Sequence, residues 1–276
     1  MLIDHHTHTV SFSFDGRQTV PELLQAARDR SLDGVCLTEH YEKDVSYIAG
    51  QEAVFDLDDY YHFCMAQKDK VSPTDPMILY GIELGYLPHL DESYARLVLR
   101  YPFDAVIMSL HILDGEDPYV DKQIYRRGRN QVYGRYLEQL TEMITSCPDF
   151  DILGHFDYIS RYADWPDRKI TWQEQPDRFD ALFRALIDQG KTLELNTATI
   201  RLLHSYGYSG TDAWPDVDLI RRYLELGGLQ ICLGSDAHDA SGVGKLLPEC
   251  RQWLYNLGLR YLTHYIGRQP VMTSIS

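Results

Sequence analysis

Histidine and acidic side chains follow one short apolar run after another in this sequence, at positions where strands are predicted to end. Imidazole and carboxylate groups are ligands that suit Zn²⁺, Mn²⁺ or Fe²⁺, so this pattern indicates a metal centre. The candidate ligands are His6, His8, Asp15, His40, Glu83, His111, His155, Asp236 and His238. The set exceeds what one ion can hold, and we therefore expect two or three divalent ions with Glu83 as a shared ligand.

Two pairs of these candidates are separated by a single residue. Side chains two positions apart on a strand point to the same side of the sheet. His6 and His8 can therefore bind one ion together, as can Asp236 and His238. His5 lies between the first pair, and we expect it to point the other way.

Short apolar segments alternate with amphipathic segments, which is typical of repeated β–α units and a parallel sheet. Strands are predicted at residues 1–4, 34–37, 77–82, 104–110, 151–154, 192–196, 229–234 and 260–262. Helices are predicted at residues 19–30, 57–68, 92–99, 123–146, 178–189, 216–226 and 246–257. The fourth of these helices is expected to be broken or kinked near Gly128 or Gly134.

Seven or eight such units in 276 residues predict an α/β fold, a distorted (β/α)7 TIM-like barrel, with residues 1–276 forming a single domain. A doubly wound open sheet is the alternative. A barrel carries its chemistry at the carboxyl ends of its strands, which is where the candidate ligands stand in the sequence.

The balance of charge restricts the partners. The chain has 26 basic and 41 acidic residues, a formal net charge of −15, which repels nucleic-acid phosphates and anionic lipids. We therefore expect no large nucleic acid and no membrane as partners, and no apolar run is long enough for a membrane span. The N-terminus lacks a signal-peptide pattern, and the five cysteines include no CxxC pair, which favours a cytoplasmic protein.

Taken together, the motifs resemble those of the PHP (polymerase and histidinol phosphatase) family. The chain has D-x-H-x-H at residues 4–8, Thr38-Glu39-His40, and a closing Ser235-Asp236-Ala237-His238. Single residues on the third, fourth and fifth predicted strands complete the pattern: Glu83, His111 and His155. The resemblance covers about residues 1–240 and implies a distorted seven-stranded (β/α) barrel with a trinuclear metal centre.

Four further segments are similar to those of PHP-type histidinol-phosphate phosphatases. They are residues 109–115 (SLHILDG), 154–162 (GHFDYISRY), 194–201 (ELNTATIR) and 265–271 (YIGRQPV). This closer resemblance implies a metal-dependent phosphomonoesterase that hydrolyses L-histidinol phosphate to L-histidinol and phosphate in histidine biosynthesis.

The resemblance also implies how the ligands divide among the ions. The first ion would be held by His6, His8, Glu83 and Asp236. The second would be held by a first-loop residue, His40 and His238, and the third by Glu83, His111 and His155. The family places its first-loop ligand about six residues after the second histidine, where this chain has Phe14. Asp15 follows it, and a one-residue bulge over residues 11–14 would restore the register.

Hydrolysis of a phosphate monoester needs an aligned nucleophile and a sink for charge on the phosphoryl oxygens, which clustered divalent ions supply. The expected nucleophile is a metal-bridging hydroxide held by His6, His8, Glu83, Asp236 and His238. Arg161 and Arg201 are expected to bind phosphate oxygens, since a guanidinium matches phosphate in a bidentate fork. The leaving alkoxide could receive its proton from Glu39, His238 or Asp236.

Some polar residues near the motifs are expected to contact the substrate or to support a ligand from behind: Glu39, Asp114, Glu194 and Asn196. Glu194 and Asp114 could recognise the cationic end of the substrate. Glu39 lies beside His40 and could instead orient that ligand.

Other functions remain open for the same residues. The metal centre could serve another small phosphate ester, such as a nucleotide, a short oligonucleotide or phosphotyrosine. Amidohydrolases also begin with D-x-H-x-H, but they need a lysine after the fourth strand, where this chain has His111. A metal-binding module without turnover would bind ions and release no phosphate. The sequence indicates a small phosphorylated substrate as partner and leaves the oligomeric state open.

Overall fold

The computed structural model describes residues 1–48, 51–147 and 149–275. Its strands are β1 (Ile3–Thr7), β2 (Gly34–Leu37), β3 (His40–Ile48), β4 (Gln51–Ala53), β5 (Met77–Gly85), β6 (Ala105–Ser109), β7 (Ile152–Leu153), β8 (Thr192–Asn196), β9 (Ile231–Gly234), β10 (Tyr261–Ile266) and β11 (Gln269–Ser274). Its α-helices are α1 (Val20–Asp29), α2 (Leu57–Lys68), α3 (Asp91–Arg100), α4 (Arg129–Ser146), α5 (Tyr158–Arg161), α6 (Pro176–Asp188), α7 (Thr197–Ser205), α8 (Val217–Glu225) and α9 (Leu247–Leu257).

Seven parallel strands form a ring in the order β1-β2-β5-β6-β7-β8-β9. The first and last strands meet through their carboxyl ends. The Asp236 N–H donates to the His6 carbonyl at 2.7 Å, and the His8 N–H donates to the Ala237 carbonyl at 3.0 Å. Thr7 also forms a parallel bridge with Ala237. The ring is therefore nearly closed, which confirms the predicted barrel and excludes the open doubly wound sheet.

Amphipathic helices cover the outside of the ring with their apolar sides. Helix α1 starts at a capping box, in which Thr19 and Glu22 each bond the other's backbone N–H, and it buries Leu23 against the sheet. The predicted break in the fourth helix is confirmed, because a 3-10 helix at Lys122–Arg127 ends at Gly128, where φ is 92° and α4 begins. Across the described residues, no helix combines the length and apolar character needed to cross a bilayer.

The hairpin β10–β11 closes the amino end of the barrel. Tyr265 packs with Ile3 and Cys232 in a small apolar cluster, and its hydroxyl lies 2.8 Å from Thr192 Oγ1. His5 points toward this end, with Nε2 lying 3.1 Å from His264 Nδ1. His5 thus faces away from its neighbours His6 and His8, as predicted from the alternation of strand side chains.

Several elements differ from the sequence-based expectation. The predicted last strand at residues 260–262 is wrong in extent, since β10 covers Tyr261–Ile266 and pairs antiparallel with β11 outside the ring. No strand was predicted for β3 and β4, because their charged residues lack an apolar alternation. Tertiary pairing creates β3 at its start, where His40 is in register with Glu83 of β5. The short helices α5 and α7 were also missed.

Candidate metal centre

The carboxyl ends of the barrel strands surround an open cavity of about 660 Å³. Six of the predicted ligands line this cavity: Asp15, His40, His111, His155, Asp236 and His238. The remaining three are fully buried beside them: His6, His8 and Glu83. The fold therefore brings all nine side chains into one cluster, although they come from seven separate parts of the chain.

The carboxylate of Glu83 lies at the centre of this cluster. Its Oε2 lies 2.7 Å from His40 Nδ1 and 3.3 Å from His6 Nε2. Its Oε1 lies 3.0 Å from His155 Nε2 and 3.4 Å from His111 Nε2. Burial alone would raise the pKa of this carboxyl, but the surrounding imidazoles hold the pKa well below its usual range. An ionised carboxylate whose two oxygens face different histidines can be shared between two cations.

Asp236 joins the cluster from the last barrel strand. Its Oδ1 lies 3.3 Å from His8 Nε2 and 3.8 Å from His6 Nε2. Its φ of 53° is in the left-handed region, which a residue other than glycine adopts rarely and at an energetic cost. This backbone conformation, at the point where the ring closes, aims the carboxylate back at the histidines of β1.

Asp15, and not Phe14, is the first-loop residue that reaches the cluster. Its Oδ2 lies 3.1 Å from His238 Nε2, and its Oδ1 lies 3.8 Å from His40 Nε2. Burial would raise the pKa of this carboxyl, but bonding to His238 and the charge of His40 lower it. Phe14 is 44% exposed and lines the cavity. Asp15, one residue after the usual position of the family's first-loop ligand, therefore points into the cluster, as predicted from the sequence.

The raised pKa of His40 shows that the cluster attracts positive charge. Burial disfavours a charge on this imidazole, but the carboxylates of Glu83, Asp15 and Glu42 outweigh burial and raise its pKa to about 9. The same concentration of negative charge that attracts a proton to this imidazole would favour a divalent cation in its place.

The predicted ligand His6 is oriented by a hydrogen bond on the side of its ring that faces away from the cluster. Glu194 Oε1 lies 2.8 Å from His6 Nδ1, and this contact fixes the ring so that Nε2 faces the cluster, where it could bind an ion. The other Glu194 oxygen accepts from the His155 N–H at 2.6 Å and from Asn196 Nδ2 at 3.1 Å. Glu194 is fully buried and does not line the cavity. Its position matches a supporting role and not the recognition of a cationic substrate.

A second chain of hydrogen bonds supports His8 through Glu39. The Ser13 hydroxyl donates to Glu39 Oε2 at 2.6 Å and lies 3.2 Å from His8 Nδ1. Glu39 also accepts from the Thr9 hydroxyl at 2.5 Å and the Thr9 N–H at 2.9 Å. Burial raises the pKa of Glu39, against these hydrogen bonds. The carboxylate is enclosed by its partners and supports the cluster through Ser13, whose hydroxyl oxygen also accepts from the His40 N–H at 3.1 Å.

Glu42 was not among the predicted site residues, yet it supports His111. Glu42 Oε1 lies 2.6 Å from His111 Nδ1, and the carboxylate lines the cavity. The signal was present, because Glu42 stands two residues after His40 and therefore points to the same side of a strand. It was not used because no strand was predicted there. Ser109 lies within a predicted strand but was not considered as a supporting residue, and its hydroxyl donates to Glu83 Oε1 at 2.6 Å.

The donor atoms of the cluster fit bound metal ions. Among the described residues, several buried donor atoms have no hydrogen-bond partner, including His6 Nε2 and His8 Nε2. Leaving such atoms unpaired is costly unless a ligand satisfies them. Four sets of three donors, within 4.8 Å of one another, could each hold an ion: His8, His40 and His238; His6, His8 and Glu83; His6, His155 and Asp236; His40, Glu83 and His111.

Arg161 lies at the wall of the same cavity and is 6% exposed. Its Nε donates to Thr199 Oγ1 at 2.8 Å, its Nη1 to Asp236 Oδ2 at 2.8 Å and its Nη2 to Asn196 Oδ1 at 3.0 Å. A guanidinium has five N–H groups, so one N–H on each terminal nitrogen is left over after the bonds to described residues and remains for a ligand. Arg161 is thus a fixed cation beside the metal donors.

Two other predicted site residues lie apart from the cavity lining. Arg201 is half-buried and donates from Nη1 to Thr197 Oγ1 at 2.9 Å. Burial lowers the pKa of Arg201, although the charge of Asp236 partly opposes this effect. Asp114 lies outside the cavity and forms an ion pair with Arg135 Nη2 at 2.9 Å. The structure therefore gives no support to Asp114 as the group that recognises the substrate.

The chain is similar to known proteins over most of its length. The model of the PHP domain matches residues 4–198. A protein of Clostridium acetobutylicum named "Probable histidinol-phosphatase" is 31% identical over 261 residues, which cover 94% of this chain and 95% of that protein. The histidinol-phosphatase of Lactococcus lactis subsp. lactis is 26% identical over 270 residues, which cover 96% of this chain and 94% of that protein.

The fold is also similar to that of a solved structure. The crystal structure of histidinol phosphate phosphatase from Lactococcus lactis, complexed with zinc, L-histidinol and phosphate, superimposes with a TM-score of 0.84. The superposition covers 98% of both chains at 23% sequence identity. The two proteins therefore share the barrel architecture.

Proposed function

The chain belongs to the PHP domain family, and on that premise we propose that it is a metal-dependent phosphatase that hydrolyses L-histidinol phosphate to L-histidinol and phosphate. Two relatives named as histidinol-phosphatases match it over nearly its full length. The observation that carries the proposal is the cavity itself, where a buried arginine with two unused N–H groups and a cluster of metal donors face one space.

We propose that two or three divalent ions bind to His6, His8, Asp15, His40, Glu83, His111, His155, Asp236 and His238. The overlapping sets of donors support more than one ion, because Glu83 and three of the histidines each belong to two sets. Zinc is present in the Lactococcus lactis structure, and the same donors accept Mn²⁺ or Fe²⁺. When bound, such ions activate water for attack on phosphorus and neutralise phosphoryl oxygens.

Arg161 is proposed to bind the phosphate. Its guanidinium keeps two N–H groups for a ligand, and guanidinium groups can bind two phosphoryl oxygens at once. Its bonds to Asp236, Thr199 and Asn196 hold the fork in place before the substrate arrives, which lowers the entropic cost of binding. Arg201 is proposed as a second cation for the phosphate, because its guanidinium interacts electrostatically with Asp236.

The proton for the leaving alkoxide must come from a group that reaches the cavity. Glu39 is enclosed by Thr9 and Ser13 and is therefore not proposed as this group. Of the other two candidates, the His238 side chain is 27% exposed and that of Asp236 is 5% exposed. We therefore propose that the proton reaches the leaving alkoxide from solvent on the side of the cavity that His238 lines.

The proposed partner is a small phosphate ester. A cavity of about 660 Å³ lies within the range of small-molecule sites, and the net charge of −15 opposes binding of a long nucleic acid. All five cysteines are free and buried, as expected where thiols stay reduced, and we place the enzyme in the cytoplasm.

The proposal is tested by measuring phosphate release from L-histidinol phosphate with protein that has been reconstituted with Zn²⁺ or Mn²⁺. p-Nitrophenyl phosphate and a nucleoside monophosphate serve as comparison substrates. We expect kcat/KM for L-histidinol phosphate to reach the common enzymatic range of about 10⁴ M⁻¹s⁻¹ or more and to exceed both other values by orders of magnitude.

Other outcomes would overturn the proposal in distinguishable ways. Comparable weak rates on all three esters would retain the phosphatase and reject L-histidinol phosphate as its substrate. Metal binding without phosphate release from any ester would reject catalysis and leave a metal-binding module.

A further inference from the structure

A series of aromatic rings forms one wall of the cavity and leads from the metal donors to solvent. The Tyr158 ring lies 4.9 Å from the His111 ring and 5.1 Å from the His155 ring, centroid to centroid. Tyr162 lies 5.1 Å from Tyr158, and Tyr119 lies 5.2 Å from Tyr162, both edge to face. All three tyrosines line the cavity. We call them the tyrosine wall.

The outer ring of the tyrosine wall is exposed and yet held in place. Tyr119 is 60% exposed, so its ring is open to a ligand that enters the cavity from solvent. The Lys122 ammonium lies 4.6 Å from the centre of the Tyr162 ring and 5.8 Å from that of Tyr119. It also donates to the Pro118 carbonyl at 2.8 Å. Lys122 thereby ties the segment that carries Tyr119 to the inner rings.

The position of the tyrosine wall fits the part of a substrate that points away from the metal donors. A phosphate held at Arg161 and the metal donors leaves the alcohol portion of the ester to extend along the cavity. The wall runs in this direction from His111 and His155. Aromatic surfaces bind flat rings by stacking and cations by attraction to the π-system. An imidazole offers both properties, because it is flat and partly protonated near neutral pH.

We propose that the tyrosine wall is the subsite for the heteroaromatic end of the substrate, and that Tyr119 determines specificity for a phosphate ester whose alcohol carries such a ring. This inference rests on the proposed function, because the phosphate must occupy the metal centre for the ring to reach the wall. Tyr158 and Tyr162 form the base of the subsite, and Tyr119 supplies its solvent-exposed surface.

The test compares two substrates of the metal-loaded enzyme: L-histidinol phosphate, and O-phosphoethanolamine, which has the amino alcohol and phosphate but no ring. The variant is Tyr119→Leu, and Tyr119→Phe retains the ring without the hydroxyl. Tyr255→Leu is the matched control, because Tyr255 is 36% exposed, lies beneath Arg260 and is outside the cavity.

We expect Tyr119→Leu to lower the ratio of kcat/KM values, L-histidinol phosphate over O-phosphoethanolamine, by about five- to tenfold, the size of a lost stacking or cation–π contact. The loss should appear in KM for L-histidinol phosphate. Tyr119→Phe should restore most of the ratio, and Tyr255→Leu should leave it unaltered.

The contrary results separate the two proposals. If Tyr119→Leu leaves the ratio of kcat/KM values unchanged, whether or not both values fall, the subsite is rejected. Turnover of L-histidinol phosphate by the wild-type enzyme would still uphold the proposed function. If wild-type enzyme releases no phosphate from L-histidinol phosphate but does so from other esters, the proposed function fails and the subsite fails with it.

Discussion

Arg161 donates from Nη1 to one oxygen of Asp236 at 2.8 Å, while the other oxygen of that carboxylate lies 3.3 Å from His8 Nε2. Arg161, which is proposed to bind phosphate, and the cluster of metal donors are thus joined through the carboxylate of Asp236. Both partners are almost completely buried, at 7% and 5% side-chain exposure, so solvent weakens their interaction little. A change at Arg161 should therefore affect substrate binding and metal binding together.

Replacement of Arg161 by lysine is predicted to raise KM for the phosphate ester by about ten- to a hundredfold, the value of one or two charge-assisted hydrogen bonds. Metal affinity should also fall, because Asp236 loses the partner that positions it. Steady-state kinetics at saturating metal, together with metal content after dialysis, measure the two effects. Arg222→Lys is the control, since Arg222 pairs with Asp180 away from the cavity. An unchanged KM would contradict the assigned role.

Glu42→Gln tests the support behind His111. The amide cannot accept the imidazole proton as strongly as the carboxylate, so His111 becomes a poorer metal ligand. We predict metal affinity about 10- to 100-fold lower, with activity partly recovered by excess metal. Titration of the metal-free protein with Zn²⁺ measures the affinity. Glu92→Gln, an exposed change on α3, controls for the loss of one negative charge, and equal affinities in the two variants would refute the prediction.

At Gly234 the backbone passes close to the side chains of Glu194 and His6. A Cβ at this position would overlap the Glu194 carboxylate and lie 2.7 Å from the Cβ of His6. Both neighbours are fully buried, so neither can move aside freely. Gly234→Ala is predicted to lower the free energy of unfolding by about 1–3 kcal/mol, as overpacking does, and to weaken metal binding through His6.

Thermal unfolding with and without Zn²⁺ measures both consequences of this change. Gly134→Ala is the comparison, because in helix α4 the added methyl group meets the side chains of Arg178 and Gln175, which can shift. Alanine also favours the helix by about 1 kcal/mol. If both variants are equally stable and bind Zn²⁺ alike, the proposed overlap has no consequence.

The His5–His264 pair at the amino end of the barrel predicts a loss of stability in acid. Burial lowers the pKa of His264 to about 4, and burial together with the charge of His264 lowers that of His5 well below its usual range. In the unfolded chain His264 titrates near its ordinary value of about 6.5. Because its pKa is lower in the folded state, its contribution is present above about pH 6.5 and is lost as the pH falls toward 4.

His264→Gln should remove part of this dependence. Between pH 7 and pH 5, the wild-type free energy of unfolding should fall by about 2 kcal/mol more than that of the variant. Chemical denaturation of the metal-free proteins at each pH measures this difference. His89→Gln, a change at an exposed histidine paired with Asp44, provides the reference. A parallel decline in all three proteins would show that His264 does not carry the effect.

Much of the fold was predictable because it depends on local patterns. Short apolar runs became the barrel strands, and Gly128 interrupted the helical segment where predicted. Elements that depend on distant pairing were not predictable. β3 exists because His40 meets Glu83, and β10 extends because β11 pairs with it. β3 lacks the apolar alternation that would mark a strand by itself, and the sequence marked only the start of β10.

The sequence alone determined which side chains could be donors and which of them share one side of a strand, because strand alternation is a property of the local backbone. Only the tertiary structure decided what supports and connects those donors. Glu42 reached His111, Glu194 reached His6, and Asp114 was placed outside the cavity, because these contacts depend on the register of neighbouring strands and on closure of the ring. Contacts between residues far apart in the chain arise from that geometry, which no local spacing encodes.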